Sequence, residues 1–309
     1  MNKQHIMPVK RTIIYVMSDK RSGSTLLENI LSKSDETVSV GELALLKNHI
    51  FREGAGFRWD WNCSCGSPVK ECVFWSKILE GMDLDSPTFN TKIRWNFKSN
   101  RTLAGSILTP VFKGTLQNID KYKINADTIH TLYAIYRKIF DFTGKNFIID
   151  SSKNPVQAYM LYRHKPADID VKIIGLKRDL RAIAASKRKW NNLNNKDVNK
   201  SLGWLLRNSF LYNKICGQVL KLVNAGDKLL INYEQLATDT QPQLDKVVRK
   251  TGLQPYKAPQ YMHVEDDDHT IAGTPQRFTK KPIKYDNSWE EAYNQKPVLS
   301  FVGKIMNKL

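Results

Sequence analysis

The 309-residue chain carries 48 Lys and Arg against 30 Asp and Glu, a formal charge of +18, with 41% apolar and 10% aromatic residues. Its length and apolar content suit one large α/β domain that needs no staple, and four cysteines in such a length exclude a disulfide scaffold. A positive field of this size selects anionic partners: polynucleotide, anionic membrane or phosphorylated small molecule.

Met1 to Lys10 is polar and has no apolar core of signal-peptide length. No stretch approaches the ~20 apolar residues that span a bilayer. The expectation is a soluble, cytoplasmic protein. Residues 12–17 (TIIYVM) form a short β-branched run, read as a buried strand. The polar loop 18–25 (SDKRSGST) follows, and Leu26, Leu27, Ile30 and Leu31 then share one helical face. Strand, glycine-containing loop and helix open a parallel α/β unit. Residues 38–42 read as a second strand ending in Gly41-Glu42, and 128–142 as a helix with a broad apolar stripe. Further strands are expected at 146–150, 171–176 and 228–232, with helices at about 179–190, 201–223 and 238–251. Residues from about 52 to 125 read as an insertion of uncertain structure, and 253–288 as a long functional loop. The closing segment, 289–309, reads as helical with an interruption near Pro297. The fold class is α/β, with a parallel central sheet and helices on both faces.

Two segments carry anion-binding chemistry. In the first, a strand-to-helix loop aims backbone N–H groups and the helix dipole at one point. Lys20 and Arg21 add charge, Ser22, Ser24 and Thr25 add hydroxyl donors, and Gly23 allows close approach of an anion. A solvated polar turn would look the same. The ATPase pattern G-x-x-x-x-G-K-[ST] is absent, which with the lack of a clear magnesium carboxylate disfavours a kinase. In the second segment, Arg178 ends a strand and Ser186 lies two turns into the next helix, behind the slim Ala182, Ala184 and Ala185. An arginine fork suits phosphate, though an exposed helix with a basic end fits as well. Basic residues are spread widely and no nucleic-acid motif occurs, so no nucleic-acid partner is expected.

Taken together, [KR]-x-G-[ST]-T after one strand and R-D-x-R-x-x-x-x-S after another resemble the sulfotransferases that use 3′-phosphoadenylyl sulfate, in their bacterial, carbohydrate and protein-tyrosine branches. Gly41-Glu42, Cys63-x-Cys65-Gly66 with Cys72-x-Phe74-Trp75, Asp150-Ser151-Ser152-Lys153, Asn232-Tyr233-Glu234 and Gly273-Thr274-Pro275-Gln276-Arg277 extend the likeness over most of the chain. The family more usually has Asn where Thr274 stands. The resemblance implies a P-loop-like fold and a metal-independent transfer of sulfonate to a hydroxyl or amine acceptor. It places the loop from Lys20 through Leu26 on the 5′-phosphosulfate, and Arg178 and Ser186 on the 3′-phosphate. Gly273, Thr274 and Arg277 would close over the nucleotide, and Tyr233 would line the adenine pocket. Glu42 is implied as general base with His269 as runner-up, Lys20 as the cation on the leaving phosphate, and Lys153 as a second cation near the sulfonate. Cys63, Cys65 and Cys72 raise the question of zinc, but the spacing is not a standard four-ligand site and nothing in the sequence brings Cys216 near. Buried cysteines in a tryptophan-rich hairpin, with no metal, is the reading taken.

Overall fold

The computed structural model describes residues 10–52, 61–93, 123–193, 200–263, 265, 268–274 and 278–309. Five parallel strands form the central sheet: β1 (Arg11–Ser18), β2 (Thr37–Gly41), β3 (Phe147–Lys153), β4 (Ile169–Lys177) and β5 (Lys228–Asn232), in the order β2-β3-β1-β4-β5. These are the strands the apolar runs predict. The apolar runs of the inner strands β1, β3 and β4 are nearly continuous because both faces of a parallel sheet are covered there.

Successive side chains of β1 point to opposite faces. Ile13, Tyr15 and Met17 enter one core, with α4 (Lys123–Thr143), α5 (Pro155–Arg163) and α7 (Leu202–Leu222). Ile14 and Val16 enter the other, with α1 (Ser24–Leu31), α8 (Tyr233–Thr238) and α9 (Thr240–Thr251). Each such fully buried aliphatic side chain contributes about 1.5–3 kcal/mol. A third, smaller cluster joins α6 (Leu180–Leu193) and α7 to Trp289 and Tyr293, packed against α10 (Pro297–Lys308). Two short helices, α2 (Leu46–Phe51) and α3 (Val73–Leu79), lie on the first face.

Helix limits follow local chemistry. Asn154 caps α5 by accepting from Val156 and Gln157 amides, with Pro155 in the first turn, and Ser201 caps α7 by accepting from the Trp204 amide. Gly252, at φ +86°, ends α9. Pro297 opens α10 rather than interrupting a helix, since its missing N–H costs nothing in a first turn. The segment after α9 is not wholly irregular. It carries a two-residue ladder, β6 (Tyr261–Met262) with β7 (Lys281–Pro282), and Ile271 bridges to Gly41 in parallel. Among the described residues, no helix is long and apolar enough to cross a membrane.

Candidate active site

Because the five strands run parallel, their C-terminal ends share one edge, where open α/β sheets bind ligands. Lys20 and Arg21 follow β1, Glu42 follows β2, Lys153 ends β3, Arg178 follows β4 and Tyr233 follows β5. The topology thus gathers the sequence candidates from five separate segments.

The loop after β1 is tightly held. Asp19 accepts from the Lys20 amide (2.7 Å) and from Lys187 Nζ (2.5 Å). Arg21 and Gly23 both adopt left-handed backbone, φ +69° and +93°. Gly23 is required there for a second reason: a Cβ would stand 2.2 Å from the ring of Tyr233. The Tyr233 ring in turn lies under the Arg178 guanidinium, 4.2 Å from its centroid. Arg178 Nη1 donates to the Arg21 carbonyl (3.0 Å), and Arg21 Nε donates to Ser186 Oγ (3.0 Å). Burial, and then the neighbouring Arg178 charge, push the Arg21 guanidinium below its ordinary range. Two buried polar atoms in this group, Ser22 Oγ and Arg178 Nε, have no hydrogen-bond partner among the described residues. Nor does a side chain cap the first turn of α1, where Ser24 and Thr25 lie and Leu26 packs on the second core. Converging cations, unpartnered donors and an uncapped helix start fit an anion.

Glu42 stands at the other end of this edge. Its carboxylate pairs with Lys153 Nζ at 2.6 Å, both side chains being largely buried. Lys153 therefore neutralises the candidate base. It is held there by its own left-handed backbone, φ +69°, at the end of β3. The preceding turn rests on Asp150, which accepts from the Ser152 amide (2.8 Å), Ser152 Oγ (2.5 Å) and Tyr136 Oη (2.5 Å). Burial, only partly offset by these donors, raises the Asp150 carboxyl to about 6. Ser152 Oγ also accepts from the Ala44 amide (2.9 Å), tying the turn to the residues just past Glu42.

Lys92 was not singled out by the sequence. Surrounding protein, and then the Lys20 charge, push its ammonium down, while Glu42 opposes them. Lys92 therefore shares the field of both residues. No motif marks it, because it reaches the site from the stretch that local patterns leave unplaced.

The late loop is strapped to the same edge. Asn29 of α1 clasps His263, donating to its carbonyl and accepting from its amide, and Lys33 pairs with Glu265 at 2.6 Å. Ile271 donates to the Val40 carbonyl (3.0 Å) and accepts from the Glu42 amide (2.8 Å). Gly273, at φ +110°, and Thr274 follow; Arg277 lies outside the described residues. His269 is placed elsewhere: its Nδ1 lies 3.3 Å from Cys72 Sγ and 3.7 Å from Cys63 Sγ, and its ring stacks on Phe74. It thus fills the fourth position beside the three cysteines, whereas Cys216 lies buried in the first core and outside that group. The Cys63 hydrogen bond, against burial, and then His269 hold the Cys72 thiol well below its ordinary range.

The chain matches no family model and no curated protein. Among solved structures it is similar to the sulfotransferase domain of the Synechococcus PCC 7002 olefin synthase, at 17% identity and a TM-score of 0.51, covering 97% of this chain and 94% of that one. The sulfotransferase domain of the curacin biosynthetic pathway also aligns, at 15% identity and a TM-score of 0.46, over 80% of this chain and 75% of that one. At such identities the likeness is one of architecture: five parallel strands, flanking helices and a basic loop at the sheet edge make this a sulfotransferase-like fold.

Proposed function

We propose that the chain is a sulfotransferase using 3′-phosphoadenylyl sulfate as donor and a hydroxyl or amine as acceptor. The observation that carries this reading is the junction of Arg21, Arg178, Ser186 and Tyr233 over Gly23. It joins segments 157 and 165 residues apart and, among the described residues, leaves Ser22 Oγ and Arg178 Nε unpartnered. A nucleotide with phosphates at both the 5′ and 3′ positions suits two adjacent sets of cationic donors. The donor, when bound, supplies a sulfonate already activated on a phosphate leaving group.

This chain's own residues do the rest. Ser22, Ser24, Thr25 and the start of α1 hold the 5′-phosphate, and Arg178 with Ser186 holds the 3′-phosphate. Tyr233 faces the adenine, and Gly273 and Thr274 cover it. Lys20 sets an ammonium where charge grows on the leaving oxygen, the most effective place for a fixed cation. Glu42 receives the acceptor proton, and Lys153 fixes the carboxylate's position. The reaction asks for no catalytic metal. The free cysteines suit a reducing compartment, and we assign the reaction to the cytoplasm.

Thermal unfolding with 3′-phosphoadenosine 5′-phosphate and with AMP tests the assignment. A hundredfold excess over the dissociation constant stabilises by about 2.7 kcal/mol. The bisphosphate should therefore raise Tm clearly and AMP much less, with the difference shrinking in Ser186→Ala. Equal shifts in the wild type would remove the 3′-phosphate site, and a labelled-donor screen against alcohols and amines that yields no product would remove the activity.

A further inference from the structure

We propose that Cys63, Cys65, Cys72 and His269 bind one structural zinc ion that fastens the late loop beside Glu42. The four ligand atoms lie within 4.8 Å of one another. Three of their six separations fall close to the edges of a tetrahedron built for this metal. Zn–S bonds of about 2.3 Å and Zn–N bonds of about 2.0 Å give edges of about 3.8 Å between sulfurs and about 3.5 Å between sulfur and nitrogen. Cys65 and Cys72 sulfurs are 3.6 Å apart, and His269 Nδ1 lies 3.3 and 3.7 Å from Cys72 and Cys63.

The backbone holds these ligands in place by other means. Cys63 to Gly66 forms a tight turn, closed by the Gly66 amide on the Cys63 carbonyl (2.9 Å), with Gly66 at φ +89°. The Cys63 amide donates to the Ser67 carbonyl, and the Cys72 amide to the Pro68 carbonyl, each at 2.9 Å. His269 is fixed from three directions. Trp75 Nε1 donates to its carbonyl (2.9 Å), Phe74 stacks on its ring at 5.2 Å, and Ser64 bonds both neighbours. Ser64 Oγ donates to the Asp268 carbonyl (2.6 Å) and accepts from the Thr270 amide (2.7 Å).

A purely packed reading leaves an imidazole among three thiols, two of them buried, in an otherwise aromatic and aliphatic surround. A disulfide would use two sulfurs and leave the third facing the imidazole. One soft tetrahedral cation engages all four, and three thiolates with one imidazole select zinc among abundant ions. Four protein ligands close the coordination sphere, so the ion is structural. Its consequence lies two residues on, where Ile271 carries the hydrogen bonds to Val40 and Glu42. The metal thereby anchors the strap that positions the Glu42 backbone.

Elemental analysis of the full chain, purified without chelators, should find about one zinc per chain, released to a chromogenic chelator when a mercurial caps the thiols. The cobalt(II)-loaded wild type should show the intense visible bands of a tetrahedral thiolate site. Those bands should vanish in Cys65→Ser, whose side chain is only half-buried, and shift in His269→Ala. Zinc removal should lower Tm, and zinc should restore it. Zinc far below one per chain together with no tetrahedral cobalt spectrum would overturn the proposal. So would a Cys65–Cys72 disulfide found by mass spectrometry in the native protein, or full zinc retention in both variants.

Discussion

Gly41→Ala should damage the protein far more than a small surface substitution, for a reason the backbone specifies. Gly41 has φ +71°, and an added Cβ would stand 2.2 Å from the Ile271 carbonyl oxygen, 2.6 Å from its nitrogen and 3.0 Å from its carbonyl carbon. All three are main-chain atoms, so no side chain can swing aside. Left-handed backbone costs a non-glycine residue about 1–2 kcal/mol. Separating the strap from β2 also loses the Ile271–Val40 and Glu42–Ile271 hydrogen bonds, worth about 1 kcal/mol each. The expected loss is about 3–4 kcal/mol. Gly144→Ala is the control, since Gly144 has φ +65° and, among the described residues, nothing within 4 Å of the new Cβ; it should cost only about 1–2 kcal/mol. Urea unfolding of both variants measures the difference. Turnover should fall while bisphosphate binding weakens less, because Arg178, Ser186 and Tyr233 follow other strands and the covering Gly273 and Thr274 move with the strap. Equal destabilisation by the two substitutions would refute the close approach of strap and strand.

Glu42→Gln should leave bisphosphate affinity unchanged, lower single-turnover rates by roughly 10²- to 10⁴-fold, and cost about 2 kcal/mol in urea by weakening the charged hydrogen bond from Lys153. Gly23→Ala should weaken bisphosphate binding in calorimetry by at least about tenfold, or ~1.4 kcal/mol, since its Cβ would displace the Tyr233 ring; adding Tyr233→Ala should recover stability. Asp150 titrates in the folded protein at about 6, above its ordinary 3.8, so the fold binds the extra proton between these values. Its stabilising contribution is complete below 3.8 and lost as pH rises through about 6, a total of ~3 kcal/mol. Asp150→Asn lacks this slope, so wild-type and variant unfolding free energies plotted against pH should converge or cross by that amount between pH 4 and 7; parallel curves would exclude it.

The sheet was legible because strands covered on both faces need continuous apolar runs, and 12–17, 146–150 and 171–176 have them. The anion loop was legible because cations, hydroxyls and a glycine are contiguous between a strand and a helix. Residues whose roles depend on distant partners were not. Lys153 follows its strand motif plainly, yet its ion pair with Glu42 depends on the pairing of β2 with β3, which no local pattern around either residue announces. Lys92 comes from a stretch without period or motif. His269 stands 197 residues beyond Cys72, and loop spacing over such a distance carries no geometric signal. The parallel bridge from Ile271 to Gly41 is made by backbone atoms, on which side-chain identity is silent. The residue that does report it is Gly41, since a left-handed position pressed against another main chain admits no other side chain. Gly41-Glu42 is therefore a coupled pair: the glycine admits the strap, and the strap accepts the amide of the carboxylate residue that follows.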